Sequence, residues 1–109
     1  TAATLLLQAD NSDDAGDDWK IIANTDQTLT IANDIASAGS YVSQITITPN
    51  ATVANSSFLV GGNASVGNDL SLTSDSSVFK MGAGNDFLIT HDGTTGATIT
   101  ANPIIIKLW

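Results

Sequence analysis

The sequence predicts an all-β fold, and three observations carry that prediction. The first is its polar vocabulary: every acidic residue is Asp, Glu and Arg are absent, and charged residues make up only 13% of the chain, about half the usual share of roughly 25%. Asp, Asn, Ser, Thr and Gly build turns and strand edges, whereas Glu, Arg, Lys, Gln and Leu furnish helix surfaces. The second is alternation, clearest in Thr28-Leu29-Thr30-Ile31 and Gln44-Ile45-Thr46-Ile47-Thr48, where apolar side chains would share one face. The third is punctuation: turn phrases recur about every 8–12 residues, and no window shows a helical stripe of useful length. The expected architecture is short antiparallel strands in a β-sandwich or β-prism-like fibre module, intertwined or stacked with neighbouring chains.

Taken in order, Thr4-Leu5-Leu6-Leu7-Gln8 reads as a first short strand, ending in an acidic loop from Asp10 to Asp18. Ionised Asp cannot sit unpaired in a core, so that loop is expected in solvent. Trp19-Lys20-Ile21-Ile22-Ala23 follows as a strand, broken by Asn24-Thr25-Asp26, and Leu29 and Ile31 mark the next. Asn33-Asp34 and Ala36-Ser37-Ala38-Gly39-Ser40 read as a connection. The run from Tyr41 to Thr48 is the best strand, stopped by Pro49-Asn50. Val53, Phe58 and Val60 come next, and then Gly61-Gly62-Asn63. Further strands are expected at Asp69-Leu70-Ser71-Leu72-Thr73, Val78-Phe79-Lys80-Met81, Phe87-Leu88-Ile89-Thr90, Ala97-Thr98-Ile99-Thr100 and from Ile104 to Trp109. Between them lie Thr73-Ser74-Asp75, Gly82-Ala83-Gly84-Asn85 and the hairpin phrase Asp92-Gly93-Thr94. The expected division is 1–62 and 63–109, with a single continuous unit over 1–109 as the alternative.

Charge narrows the function classes. A net charge of −8 with only Lys20, Lys80 and Lys107 as basic residues argues against nucleic acid and anionic membrane surfaces, which require clustered Lys or Arg. With no Cys, stability must come from packing or oligomerisation rather than disulfides. The apolar run at Ile104-Ile105-Ile106 is far shorter than the ~20 residues a membrane helix needs, so membrane insertion is not expected. The chain starts on Thr1 rather than Met, which suggests a piece or processed product of something longer.

Several motifs touch on chemistry. Met81-Gly82-Ala83-Gly84-Asn85-Asp86-Phe87-Leu88-Ile89 matches a calcium-binding nonapeptide except for its first Gly; repeats of that motif stack as a parallel β-roll and share Ca²⁺ between turns. A single copy cannot build a shared site, so a β-turn is the preferred reading. An EF-hand starting at Asp10 fails, because Ala15 stands where Gly is needed and Ile21 where Glu is needed. An adventitious Ca²⁺ held among Asp13, Asp14, Asp17 and Asp18 is the metal reading the loop leaves open, with Asp86 and the sole histidine, His91, as further candidates. Three copies of His91 on a three-fold axis could also share a metal or anion. No Gly-x-Ser-x-Gly phrase accompanies His91, and nothing selects a carboxylate pair for glycoside hydrolysis. No catalytic residue, enzyme activity or dedicated cofactor is therefore expected. Asn50, Asn55 and Asn63 open glycosylation sequons of the kind a chain rich in Asn, Ser and Thr acquires by chance. Trp19, Tyr41 and Trp109 are the recognition candidates, for glycan stacking or protein contact, with core or subunit-interface anchoring as the preferred alternative.

The phrases Asp17-Asp18-Trp19-Lys20-Ile21-Ile22-Ala23-Asn24, Gln27-Thr28-Leu29-Thr30-Ile31 and Ile45-Thr46-Ile47-Thr48-Pro49-Asn50 resemble β-rich modules of bacteriophage tail-fibre and related virion structural proteins. The stretch from Leu72 to Asp86, with Leu88-Ile89-Thr90-His91-Asp92 after it, is similar to a second repeat of such proteins. The resemblance implies a non-catalytic structural or adhesive module, extracellular on a virion, self-associating as a homotrimer or polymer and touching a host surface glycan or protein. Two alternatives stand beside it. One is a bacterial or archaeal surface filament or adhesin assembling by strand exchange, with residues 4–7 as the donated strand; the other is a calcium-stabilised β-roll.

Overall fold

The computed structural model describes residues 1–101 of the chain. Chain contacts divide it into a first unit, Thr1–Ser65, and a second that begins at Val66, against the expected division after Gly62. The first unit is a five-stranded antiparallel meander of β1 (Ala3–Gln8), β2 (Asp18–Ala23), β3 (Leu29–Asn33), β4 (Val42–Thr48) and β5 (Ser57–Val60), each paired with the next in sequence. The second unit is a three-stranded antiparallel meander of β6 (Val78–Met81), β7 (Phe87–His91) and β8 (Ala97–Ala101). Both are all-β, as the alternation predicts, and neither closes into a barrel. The strand expected from Ile104 to Trp109 lies outside the described residues.

Local chemistry sets the turns. Between β2 and β3, Asn24 N–H donates to the Thr28 carbonyl (2.8 Å) and Asp26 accepts from the Thr28 hydroxyl (2.7 Å), while Gln27 takes the left-handed φ of 73° that closes the loop. Between β7 and β8, one oxygen of Asp92 accepts from the amides of Thr94 (2.8 Å), Thr95 (3.0 Å) and Gly96 (3.1 Å). The hairpin signal at Asp92-Gly93 therefore yields an Asp-capped loop, longer than a two-residue turn. Between β3 and β4 the register slips after Ile31, leaving Gln44 as the extra residue of a β-bulge.

One expected strand does not form. Residues 69–73 alternate correctly but pair with no strand among the described residues, and Leu70 and Leu72 stay exposed. Alternation sorts side chains to two sides, but a ladder also needs a partner backbone in reach. The segment runs into a turn at residues 74–77, where Ser77 Oγ donates to the Ser74 carbonyl (2.6 Å).

The first unit has no apolar core of its own. Among the described residues Ala32 is the sole buried hydrophobic residue, whereas Asp18, Thr30, Asn33 and Asp34 are buried polar ones. The chain exposes 8592 Å². A folded monomer of its 11.2 kDa exposes about 5,700 Å², and two separately folded globules of the same total mass about 6,800 Å². Many apolar strand residues stay exposed, Leu5, Leu7, Trp19 and Phe58 among them, while Ile21, Ile31, Ile45 and Ile89 are half-buried.

Candidate functional site

Two features of the first unit stand out, one on each face of its sheet. Paired residues share a face, so the register places Leu5, Ile21, Ile31, Ile45 and Val60 in one row across all five strands. Beside it run Ala3, Ala23, Leu29, Ile47 and Phe58, and on the other flank Leu7, Trp19, Asn33 and Val42. No residue in these rows is charged. Leu5, Leu7, Trp19, Leu29, Val42, Ile47 and Phe58 are all exposed, Phe58 at 64%. This is a continuous, neutral, apolar surface of the size that marks interaction sites rather than scattered surface hydrophobes.

The opposite face carries a polar hub. After β1 the chain makes a left-handed turn at Asp10, Asn11 and Ser12 (φ 42°, 65° and 58°), which non-glycine residues adopt only when held. The turn delivers Ser12 Oγ to Asp18 Oδ1 at 2.7 Å, while the same hydroxyl accepts from Gln8 Nε2 at 2.7 Å. The Tyr41 hydroxyl donates to the other Asp18 oxygen at 3.0 Å. Asp34, which leaves β3 beside the start of β2, accepts from the amides of Gly16 (3.0 Å) and Asp18 (3.3 Å) on one oxygen and Gly39 (2.9 Å) on the other. On the apolar face of the same corner Asn33, 4% exposed, has its Nδ2 donating to the carbonyls of Gly16 and Asp18, each at 3.0 Å. Asp34 thus ties both flanking loops to the sheet edge.

Ligand oxygens of Asp17, Asp18 and Asp34 lie within 4.8 Å of one another. Asp17 Oδ1 is buried without a hydrogen-bond partner. Lys20, the one basic residue of this unit, has its ammonium 3.5 Å from the Tyr41 ring centroid. An all-oxygen donor set of this kind suits a hard cation such as Ca²⁺ or Mg²⁺. The oxygens of Asp18 and Asp34 are, however, already engaged by protein donors, so the cluster works as a clamp from its own hydrogen bonds. Of the expected ligands Asp17 and Asp18 belong to it. Asp13 and Asp14 are exposed in the loop and outside the cluster.

Asp34 is the member of the cluster that the acidic loop did not point to, yet a signal existed. The hairpin register that pairs Trp19 with Asn33 brings Asp18 and Asp34 together one step further on, where Asp34 N–H donates to the Asp18 carbonyl at 3.3 Å. Reading Asp18 as the tail of an acidic loop hid its place as the first residue of β2.

The hub shifts two titrations. The amide of Gly39, followed by those of Gly16 and Asp18, holds Asp34 below the usual carboxylate range against the opposing effect of burial. Burial, the bond to Asp18 and the charges of Asp18, Asp34 and Asp17 push the Tyr41 phenol up to about 12. Tyr41 is the sole tyrosine, so its ultraviolet tyrosinate band reports one site. That band is expected to rise with a midpoint near 12, and a midpoint near the free value of about 10 would remove Tyr41 from the hub.

In the second unit, His91 ends β7 with Nδ1 2.8 Å from the Asp75 carbonyl and 3.2 Å from the Gly93 amide. These contacts require opposite tautomers, and the shorter places the proton on Nδ1. His91, Phe79 and Ile89 line an open cleft of about 320 Å³ under residues 72–77, small for a ligand site. Asp86 is exposed and folds over Gly82 and Gly84 within the β6–β7 turn. That turn joins antiparallel strands, whereas a calcium roll requires parallel ones. Trp19 lies on the apolar face, Tyr41 is committed to Asp18, and Trp109 falls outside the described residues.

Together these features define a class: an antiparallel all-β module with one bare apolar face and a polar clamp behind it. No protein-family model, curated protein or solved structure matches the chain.

Proposed function

We propose that this chain is a non-catalytic structural and adhesive module of a phage tail fibre or similar virion appendage, working outside the cell by self-association as a homotrimer or polymer. The observation that supports this reading is the apolar face of the first sheet, on which Leu5, Leu7, Trp19, Leu29, Val42, Ile47 and Phe58 are exposed. An enzyme needs a positioned acid, base or nucleophile. The contacts of His91 are backbone groups, and the hub carboxylates Asp18 and Asp34 are held by protein donors. The strand-exchange filament is less well supported, because β1 pairs with β2 of its own chain along its full length, from Ala3 with Ala23 to Gln8 with Asp18. Any Ca²⁺ held at Asp17, Asp18 and Asp34 would brace this module rather than act on a substrate.

Sedimentation equilibrium tests the reading. The expected mass is a multiple of 11.2 kDa, three-fold for the homotrimer. A monomer at micromolar concentration that retains its β-sheet signal would overturn it.

A further inference from the structure

We infer that the apolar face of the β1–β5 sheet is covered by the same face of a second copy of this chain, so that two sheets close into an intermolecular sandwich with the polar hubs outward. The inference rests on the self-associating reading above in its polymer form rather than its homotrimer form: a contact of one face with its own copy pairs chains two by two, so the assembly holds an even number of chains and a three-fold mass would overturn the inference.

Three observations favour a second copy as the occupant. The first is charge. Residues 1–65 carry seven Asp against one Lys, so two copies repel wherever their loops or hub faces meet. The rows led by Leu5, Ala3 and Leu7 hold no charge, and they offer an approach on which no carboxylate confronts another. The second is area. Five strands about 4.8 Å apart, with three rows about 7 Å apart, give a footprint of roughly 500 Å² per copy. A face-to-face pair therefore removes about 1,000 Å² in total, at the threshold of a specific interface. The third is chemistry. The central row of Leu5, Ile21, Ile31, Ile45 and Val60 is aliphatic, and facing aliphatic rows interdigitate at the ordinary sheet spacing of about 10 Å. Trp19 and Phe58 stand at its flanks, exposed by 42% and 64%, as the large side chains that anchor such contacts. A glycan would instead need polar groups beside the aromatics, and the rows offer only Asn33, whose Nδ2 is spent on Gly16 and Asp18.

Thiol cross-linking reads this geometry directly, because the chain has no native Cys. Ile31 is on the middle strand at the centre of the face, and Leu59 is exposed on the opposite side, paired with Thr46. With a short bismaleimide, Ile31→Cys is expected to give covalent dimers in high yield and Leu59→Cys few. Leu29→Lys places a charge within the face and is expected to weaken association by more than about 10-fold, with the far-UV sheet signal retained. If the protein is oligomeric but Leu59→Cys cross-links and Ile31→Cys does not, this interface is wrong and the self-associating reading survives. Should the unmodified chain sediment as a monomer, with this face left to a host glycan or an unrelated protein, both fall.

Discussion

Asp34→Ala is expected to lower the melting temperature of the first unit by about 10 °C, whereas Asp13→Ala, at an exposed loop position, leaves it nearly unchanged. The reason is the number of groups that depend on one side chain. Asp34 is 1% exposed and its carboxylate receives the amides of Gly16, Asp18 and Gly39. Ala leaves all three N–H groups without their acceptor and releases the loops on either side of the β2–β3 hairpin. Stray loops would also loosen the left-handed turn that holds Ser12 on Asp18. Asp34→Asn keeps one carbonyl acceptor and should fall between the two. The pH dependence follows from the direction of the shift. The folded pKa of Asp34 lies below the ordinary 3.8, so its contribution is complete above 3.8 and is lost as pH falls through the lower folded value. The gap between the melts of wild type and Asp34→Ala should therefore narrow as pH falls below 3.8. A gap between them that is as wide in acid as at neutrality would remove the carboxylate from its assigned role.

The strands were legible in the sequence where alternation coincided with a partner. Ile45-Thr46-Ile47 forms the middle of β4, and Ile21 and Ile31 fall opposite each other because the Asn24-to-Thr28 turn fixes the register. Residues 69–73 show the limit of that logic: they alternate equally well, but pairing is a property of two segments and a periodicity of one cannot report it. The hub was legible only in part, for a related reason. Asp17 and Asp18 were legible from their loop, whereas Asp34 stands 16 positions from Asp18 and meets it through hairpin register. Asp13, Asp14, Asp86 and His91 were chosen by residue type, and type does not say which carboxylates a turn will gather. Trp19 and Tyr41 illustrate the same point in opposite directions. Both are aromatic, but Trp19 lies within β2 on the apolar face, while Tyr41, just before β4, is drawn to Asp18 and lies beneath Lys20. The apolar face itself was implicit in the alternation. What composition could not show is that the loops reach only its Asn33 corner and leave Leu5, Leu29, Ile47 and Phe58 exposed.

That uncovered face makes a second large effect unavoidable if association completes the fold. Mass action links the stability of an oligomer to its concentration, and a 100-fold dilution is worth about 2.7 kcal/mol of association free energy. Shared between two chains of this length, that corresponds to a fall of about 5–10 °C in melting temperature. Ala32 is the sole buried apolar residue among those described, so little intramolecular burial is available to mask the dependence. Melting the unmodified chain by circular dichroism across a 100-fold range of concentration is the most direct test of the central claim. A melting temperature that climbs steadily with concentration is the predicted result. One that stays constant across the range, for a species that sediments at 11.2 kDa, would show that the sheet is stable with its apolar face bare and would contradict the account.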